Sequence, residues 1–249
     1  MKVVSLGVGE AFDEDQPNNS HLIISDSVIL LDCGSTVPPQ LWKYTTDPSF
    51  IDAVYISHMH ADHYFGLPAV LVTMAKKQRT KPLIIICQKG MQQAIENLME
   101  YGYHGWLQKL SFPLEYQNAE PNQTIKLNKF EITFAPTIHP TNNLAIKISD
   151  GKTSICYSGD GQFVKETEQL YHDADLVIHE SYLFDEKLIG HSSIQDVIEM
   201  AKRNNVKSVA LTHIEKDLRK NNLESIKKEL LEENIRVLIP NPFDEIHGE

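Results

Sequence analysis

The chain has 249 residues, and its 34 Asp and Glu residues outnumber its 23 Lys and Arg residues, for a formal net charge of −11 at pH 7. This acidic balance disfavours generic nucleic-acid binding, because phosphate affinity comes mainly from Lys and Arg that displace counterions. No run approaches the roughly 18 apolar residues of a membrane span, so the sequence predicts no membrane-spanning helix.

The length suits one large α/β domain, and no shift in composition marks a boundary, so we expect a single domain over residues 1–249. The three cysteines, Cys33, Cys87 and Cys156, lie inside apolar runs rather than at disulfide-framework spacings. They are typical of buried thiols in a reducing compartment. Because the N-terminal apolar run is too short for a signal peptide, we expect a cytoplasmic protein.

Strands and helices alternate along most of the chain, which predicts the α/β class. Apolar and β-branched runs predict strands over residues 3–6, 21–24, 28–32, 53–56, 83–87, 125–127, 130–134, 144–148, 153–157, 176–180, 209–213 and 237–239. Helical periodicity predicts helices over residues 38–44, 67–77, 91–99, 164–171, 194–203 and 223–232, the fifth capped by Ser192 or Ser193. The glycines at 7 and 9 indicate a tight turn, because a dinucleotide-binding motif would need a third glycine.

Two short segments between these elements have unusual composition. Residues 76–81 (Lys-Lys-Gln-Arg-Thr-Lys) form the only dense basic run, which we interpret as the solvated end of a helix. Residues 101–106 (Tyr-Gly-Tyr-His-Gly-Trp) are rich in aromatic residues and glycine. This second segment could line an active site and contact substrate, or it could pack against the core at a helix end.

Three histidines and an aspartate lie within six residues directly after the predicted strand 53–56, namely His58, His60, Asp62 and His63. Imidazole nitrogen and carboxylate oxygen are the donors that borderline divalent metals prefer, so the cluster indicates a metal site. His58 and His60 are two positions apart and can share one face of an extended strand end. Asp62 and His63 lie beyond the turn and can contact a second ion. A histidine-rich surface loop is the alternative.

His58-Met59-His60-Ala61-Asp62-His63 resembles the His-x-His-x-Asp-His motif of the metallo-beta-lactamase superfamily, whose members are binuclear metal hydrolases. Downstream, three further residues stand where the superfamily has ligands, each at the end of a strand-like run: His139, Asp160 and His213. The resemblance extends from residue 3 to about residue 240 and implies a four-layer αβ/βα sandwich.

The resemblance also implies the role of each site residue. His58, His60 and His139 would bind one metal, Asp62, His63 and His213 would bind the other, and Asp160 would bridge them. A hydroxide shared by the ions would be the nucleophile, with Asp62 accepting the proton of the water. Zinc is the expected metal, and manganese or iron would also suit these donors. Asp32, at the end of the strand 28–32, is expected to orient a ligand histidine rather than to bind metal.

Two further segments, His179-Glu180-Ser181 and His191-Ser192-Ser193, resemble motifs of the ribonuclease Z branch of this superfamily. In that branch the histidine that matches His191 donates a proton to the leaving oxygen of a phosphodiester, and the glutamate that matches Glu180 positions it. Only 21 positions (160 minus 139) separate His139 from Asp160. The long arm that tRNA-processing members carry there does not fit.

We therefore predict a phosphodiesterase of small substrates, such as a cyclic nucleotide or a phosphoribosyl cyclic ester. A lactonase, thioesterase or aryl-sulfatase-like hydrolase of the same fold is an alternative, because the same hydroxide can attack carbon or sulfur. A non-catalytic metal-binding regulator is an alternative from another class. An oxygen-handling di-iron protein is disfavoured, since it would need a further domain. The expected partners are a small-molecule substrate and, as in related proteins, a second copy of the chain in a homodimer.

Overall fold

The computed structural model describes residues 1–248, and Glu249 lies outside them. The strands in chain order are β1 Lys2–Gly7, β2 Ser20–Ile24, β3 Val28–Leu31, β4 Ala53–Tyr55, β5 Leu83–Gln88, β6 Leu114–Ala119, β7 Thr124–Leu127, β8 Phe130–Ile138, β9 Leu144–Ser149, β10 Ser154–Tyr157, β11 Gln162–Phe163, β12 Leu176–Glu180, β13 Ser208–Thr212, β14 Arg236–Leu238 and β15 Glu245–His247. The helices are α1 Val37–Tyr44, α2 Ala61–Tyr64, α3 Leu67–Lys76, α4 Met91–Gly102, α5 Lys165–Tyr171, α6 Ile194–Arg203 and α7 Lys216–Leu230, with a 3-10 helix at Leu107–Lys109.

The strands form two mixed sheets. The first has the order β15-β1-β2-β3-β4-β5-β6, antiparallel from β15 to β3 and parallel from β3 to β6. The second has the order β11-β8-β9-β10-β12-β13-β14, with β7 paired to β8, and is parallel from β10 to β14. Long connections through helices join the parallel strands, as parallel pairing requires.

Alternate residues of each strand are buried in different layers of the core, because successive side chains point to opposite faces of a sheet. In β1, Val3 packs between the two sheets, whereas Val4 packs under the helices α1, α3 and α4. In the second sheet, Ile178 belongs to the layer between the sheets and Val177 to the layer under α6. Three apolar layers thus separate four layers of secondary structure, which is the predicted αβ/βα sandwich.

The structure differs from the predictions at several points. Helix α7 begins at Lys216 rather than at residue 223, because the Glu215 side chain caps it by accepting a hydrogen bond from Leu218 N. The strand β15 was not predicted; it pairs with β1, placing His247 opposite Lys2. Arg79 is fully buried, so the interpretation of residues 76–81 as a solvated run is wrong at this position.

The Arg79 guanidinium is buried because it satisfies backbone groups that have no strand partner. It donates hydrogen bonds to the carbonyl oxygens of Pro48, Ile51, Lys81 and Pro82 at 2.7–2.9 Å. A planar fork of five donors is suited to such a set of acceptors. Arg79 therefore fixes the segment before β4 against the segment before β5.

Other predictions concern the chain as a whole. Cys33, Cys87 and Cys156 are free and buried, as expected. No helix within residues 1–248 is both long and apolar enough to cross a bilayer. A single domain over residues 1–249 stays a prediction, and its last residue lies outside the described part of the chain.

Candidate metal centre

The histidine cluster lies on the link between β4 and α2, where the chain leaves the first sheet. His58 and His60 are in extended backbone, whereas Asp62 and His63 are in the single turn of α2. The link packs against the end of β3: Cys33 N donates to the carbonyl oxygen of His63 at 2.7 Å. A Cβ on Gly34 would lie 1.9 Å from the carbonyl oxygen of Asp62, so only glycine permits this contact.

The other predicted ligands follow strand ends of the second sheet. His139 follows β8, Asp160 lies three residues after β10, and His213 follows β13. His213 has a φ of 53°, a left-handed conformation that is uncommon outside glycine, and its N–H donates to Val8 O at 2.8 Å. Strained backbone of this kind occurs often at functional sites, because the surrounding structure must hold it in place.

The structure brings all seven predicted ligands into two adjoining groups. In one group the ligand atoms of His58, His60, His139 and Asp160 lie within 4.8 Å of one another. In the other, those of Asp62, His63, Asp160 and His213 do so. Asp160 is common to both, and its Oδ2 lies 3.7 Å from His58 Nε2 and 3.4 Å from His63 Nε2.

The two groups fit two divalent cations. Four buried atoms that face these groups have no hydrogen-bond partner: His58 Nε2, His63 Nε2, His213 Nε2 and Asp160 Oδ1. Buried polar atoms are almost always satisfied in proteins, so atoms that converge without partners indicate a ligand. Nitrogen and carboxylate donors of this kind suit zinc, manganese or iron.

The electrostatics of the site also favour bound cations. Burial lowers the pKa of His58 well below its usual value, so that this ring is neutral and able to bind metal. Burial also opposes a charge on His63 and His213, but the carboxylates of Asp160 and Asp62 outweigh it. They raise the pKa of His63 well above its usual value and that of His213 to about 9. The carboxylates of Asp160 and Asp62 therefore favour positive charge at this site, and bound divalent ions would supply it.

A buried hydrogen-bond network centred on Asp32 holds the predicted ligands His58 and His63 in place. Asp32 Oδ2 accepts hydrogen bonds from His63 Nδ1, the Ser57 hydroxyl and the Tyr157 hydroxyl, each at 2.7 Å. The Ser57 hydroxyl also lies 3.0 Å from His58 Nδ1. The geometry agrees with the orienting role expected of Asp32. Sequence reasoning missed Ser57 and Tyr157, because a hydroxyl within an apolar run carries no signal of its partner.

His191 and Glu180 meet beside the second group. Glu180 is fully buried, and its Oε1 accepts hydrogen bonds from Gly161 N at 3.0 Å and Ser192 N at 2.9 Å and lies 3.4 Å from His191 Nδ1. Burial lowers the pKa of His191, but the carboxylates of Glu180 and Asp160 together raise it by more, so that the net shift is upward. Ser193, and not His191, caps α6 by accepting a hydrogen bond from Asp196 N.

A cavity of about 400 Å³ opens onto both groups. It is lined by Glu10, Ala11, Phe12, Asn18, Ser35, His60, Ala61, Asp62, His139, Pro140, Asp160, Tyr182, His191 and His213. Its size is within the range of small-molecule sites. None of residues 101–106 lines it; instead, Trp106 packs against the core under the first sheet. Within one chain, the structure thus favours the packing interpretation of that aromatic segment.

Comparisons with known proteins support the predicted fold. A family model described as anti-Pycsar protein Apyc1 matches residues 1–236. A ribonuclease Z of Methanococcus maripaludis strain C7 is 27% identical, with 93% of this chain and 92% of that one covered. The crystal structure of the short form of human tRNase Z (ELAC1) matches with a TM-score of 0.83 at 22% identity, covering 100% of both chains. That of YhfI from Bacillus subtilis, a metallo-beta-lactamase fold protein, matches with a TM-score of 0.82 at 25% identity over 98% of both chains. The predicted four-layer fold is confirmed.

Proposed function

Because the chain belongs to the family of the anti-Pycsar protein Apyc1 and to the ribonuclease Z-like branch of the metallo-beta-lactamase superfamily, we propose that it is a phosphodiesterase of small substrates. A cyclic nucleotide or a phosphoribosyl cyclic ester is the expected substrate class. That the chain is a metal-dependent hydrolase follows from its relatives. One observation supports the finer assignment: His191, with Glu180 beside it, lines the same cavity as the two ligand groups.

The seven clustered side chains would hold two divalent ions. His58, His60 and His139 would bind the first, Asp62, His63 and His213 the second, and Asp160 would contact both. When bound, such ions supply positive charge for the phosphate oxygens and lower the pKa of an attacking water. Zinc is our first expectation, with manganese or iron as alternatives.

Asp62 and His191 would move the protons of the reaction. The Asp62 carboxylate lines the cavity and lies 3.0 Å from His63 Nε2 and 3.5 Å from His213 Nε2. It would accept the proton of the attacking water. His191 would donate a proton to the leaving oxygen, a role that its raised pKa supports because more of the ring is protonated near neutral pH.

Glu180 is a positioning residue in this proposal. Its two backbone hydrogen bonds and full burial fix the carboxylate, so that it holds the imidazole of His191 at one place in the cavity wall. Tyr182 contacts the face of the same imidazole, with ring centroids 4.7 Å apart. Glu180 thus lies at the edge of the His191 imidazole and Tyr182 at its face.

Three features support a small substrate rather than folded RNA. The segment between His139 and Asp160 forms β9 and β10 and contains no projecting arm. The net charge is −11. No Lys or Arg of residues 1–248 is among those that line the cavity, and such side chains would be needed to bind several phosphates.

A substrate panel tests the proposal. Cyclic nucleotides, a phosphoribosyl cyclic ester, bis-p-nitrophenyl phosphate, a short RNA, lactones, thioesters and aryl sulfates are supplied to the protein loaded with zinc or with manganese. We expect turnover of the small phosphodiesters, lost on chelation. Faster turnover of a lactone, thioester or aryl sulfate would favour the alternative hydrolases. Metal binding without any turnover would favour the non-catalytic regulator.

The expected domain organisation, oligomeric state and cellular compartment also stay proposals. The whole chain would act as one domain, and it would form a homodimer in solution, which sedimentation can measure. The three free, buried cysteines support a reducing compartment such as the cytoplasm.

A further inference from the structure

We propose that Phe12 binds the base of a nucleotide substrate by stacking at the rim of the metal-centre cavity; this inference rests on the proposed function. Phe12 is 78% exposed and lines the cavity that contains His60, Asp62 and His191. Tyr101, Ile189 and Leu231 are still more exposed, yet none of them lines this cavity. The position of Phe12 thus distinguishes it from other exposed apolar side chains.

The loop that carries Phe12 is held in one shape by its own polar groups. Glu10 Oε2 accepts a hydrogen bond from Phe12 N at 2.9 Å. Asp13 Oδ1 accepts from Asp15 N at 2.8 Å and from Gln16 N at 2.9 Å. Such turns fix the backbone on both sides of Phe12 and reduce the entropy that the loop would lose on binding.

The loop is also attached to the elements that carry the site. At the start of the loop, Gly9 forms a β-bridge with Ile214, the residue directly after the predicted ligand His213. On its outer side, Lys216 contacts Glu14 at 2.8 Å and Lys220 contacts Asp15 at 3.0 Å, both from α7. These contacts hold the backbone of the loop that carries Phe12 beside the metal centre.

The cavity is lined by both polar and apolar side chains. The histidines and aspartates of the two ligand groups form the polar part, which suits a phosphodiester, whereas Ala11, Phe12, Pro140 and Tyr182 form the apolar part. A ligand that matches both parts has one phosphodiester joined to a flat ring. Aromatic side chains stack on nucleobases with little sequence preference, because every base has a π-face. The geometry thus points to a cyclic nucleotide whose base stacks on Phe12.

The test compares Phe12→Ala with Leu231→Ala, a matched control that removes an exposed apolar side chain away from the cavity. Equilibrium binding of a cyclic AMP phosphorothioate to the metal-loaded protein is measured by calorimetry. Turnover is measured for cyclic AMP and for a phosphoribosyl cyclic ester that has no base. We expect Phe12→Ala to weaken phosphorothioate binding by about 10-fold or more and to raise KM for cyclic AMP. Turnover of the base-free ester should stay unchanged, and Phe12→Trp should restore binding.

Several results would overturn the inference. One is an equal loss on both substrates, which would mean that Phe12→Ala disturbs the metal centre. Another is unchanged phosphorothioate binding, and a third is wild-type protein that binds no phosphorothioate. Wild-type protein that binds the phosphorothioate through Phe12 but hydrolyses no phosphodiester would contradict the proposed function alone. Thermal unfolding of each variant shows whether it is folded.

Discussion

Asp32 Oδ2 lies 2.7 Å from Nδ1 of His63, and both side chains are fully buried. Because a carboxylate only accepts hydrogen bonds, Nδ1 carries a proton, and Nε2 faces the second ligand group. This contact links the residue directly after strand β3 to the metal centre. Replacement of Asp32 therefore tests whether this carboxylate orients the His63 ring.

We expect Asp32→Asn to lower the affinity for divalent metal by about 10- to 100-fold, the usual effect of losing a carboxylate behind a ligand histidine. Asparagine is a suitable replacement because it tolerates the positive φ of 56° at this position. Chelator competition measures the affinity, with exposed Asp26→Asn as the control. Unchanged affinity would mean that Asp32 does not orient His63.

His191→Ala is expected to reduce turnover of bis-p-nitrophenyl phosphate by about 10²-fold or more, within the range that general acids supply. Metal content, measured by elemental analysis, should stay unchanged because His191 lies outside the two ligand groups that contain Asp160. His172→Ala, a change at an exposed histidine, is the control. An equal loss with a lactone or thioester would contradict the phosphodiester assignment.

Replacement of the buried Arg79 by Lys should lower the free energy of unfolding by about 2–4 kcal/mol, because buried carbonyl oxygens would lose their donors. A lysine ammonium cannot reproduce the planar fork that reaches four carbonyl groups. Denaturant unfolding measures the change, and Thr80→Ala at the exposed neighbouring position should have little effect. A change below about 0.5 kcal/mol, the usual range for surface substitutions, would indicate that these hydrogen bonds contribute little.

The Asp175 carboxylate should make the free energy of unfolding depend on pH in the acid range. Burial alone would raise the pKa of Asp175, but hydrogen bonds from Lys207 and Ser154 outweigh it and lower the pKa below the usual 3.8. A lowered folded-state pKa stabilises the protein above the unfolded value, and this contribution is lost as the pH falls through the folded value.

We therefore expect Asp175→Asn to lower the free energy of unfolding by about 1–2 kcal/mol at pH 7. The difference from wild type should narrow below a pH of roughly 4. Denaturant unfolding of both proteins, at pH 7 and at several lower pH values, measures this difference in the free energy of unfolding. The exposed Asp26→Asn is the control. A difference that does not change with pH would show that the Asp175 charge is not responsible.

The sequence by itself predicted most of the strands and helices in their order and, through the family resemblance, the residues of the candidate centre. Helix α6 has the predicted bounds, and β9 and β10 lie within one or two residues of the predicted strands 144–148 and 153–157. These features depend on local periodicity and turn chemistry. His58 was found from the histidine-rich motif, and His139, Asp160 and His213 were found because the resemblance to the superfamily marks these positions, each near the end of a strand.

Only the tertiary structure decided which distant groups meet. Arg79 is in a basic run, and nothing local shows that four carbonyl oxygens surround it. The short strand β15 exists because β1 offers it an edge, and Phe12 matters because its loop returns to the metal centre. Local sequence patterns specify which backbone conformation each segment prefers. Burial and hydrogen bonds between segments far apart in the sequence depend instead on how the whole chain packs.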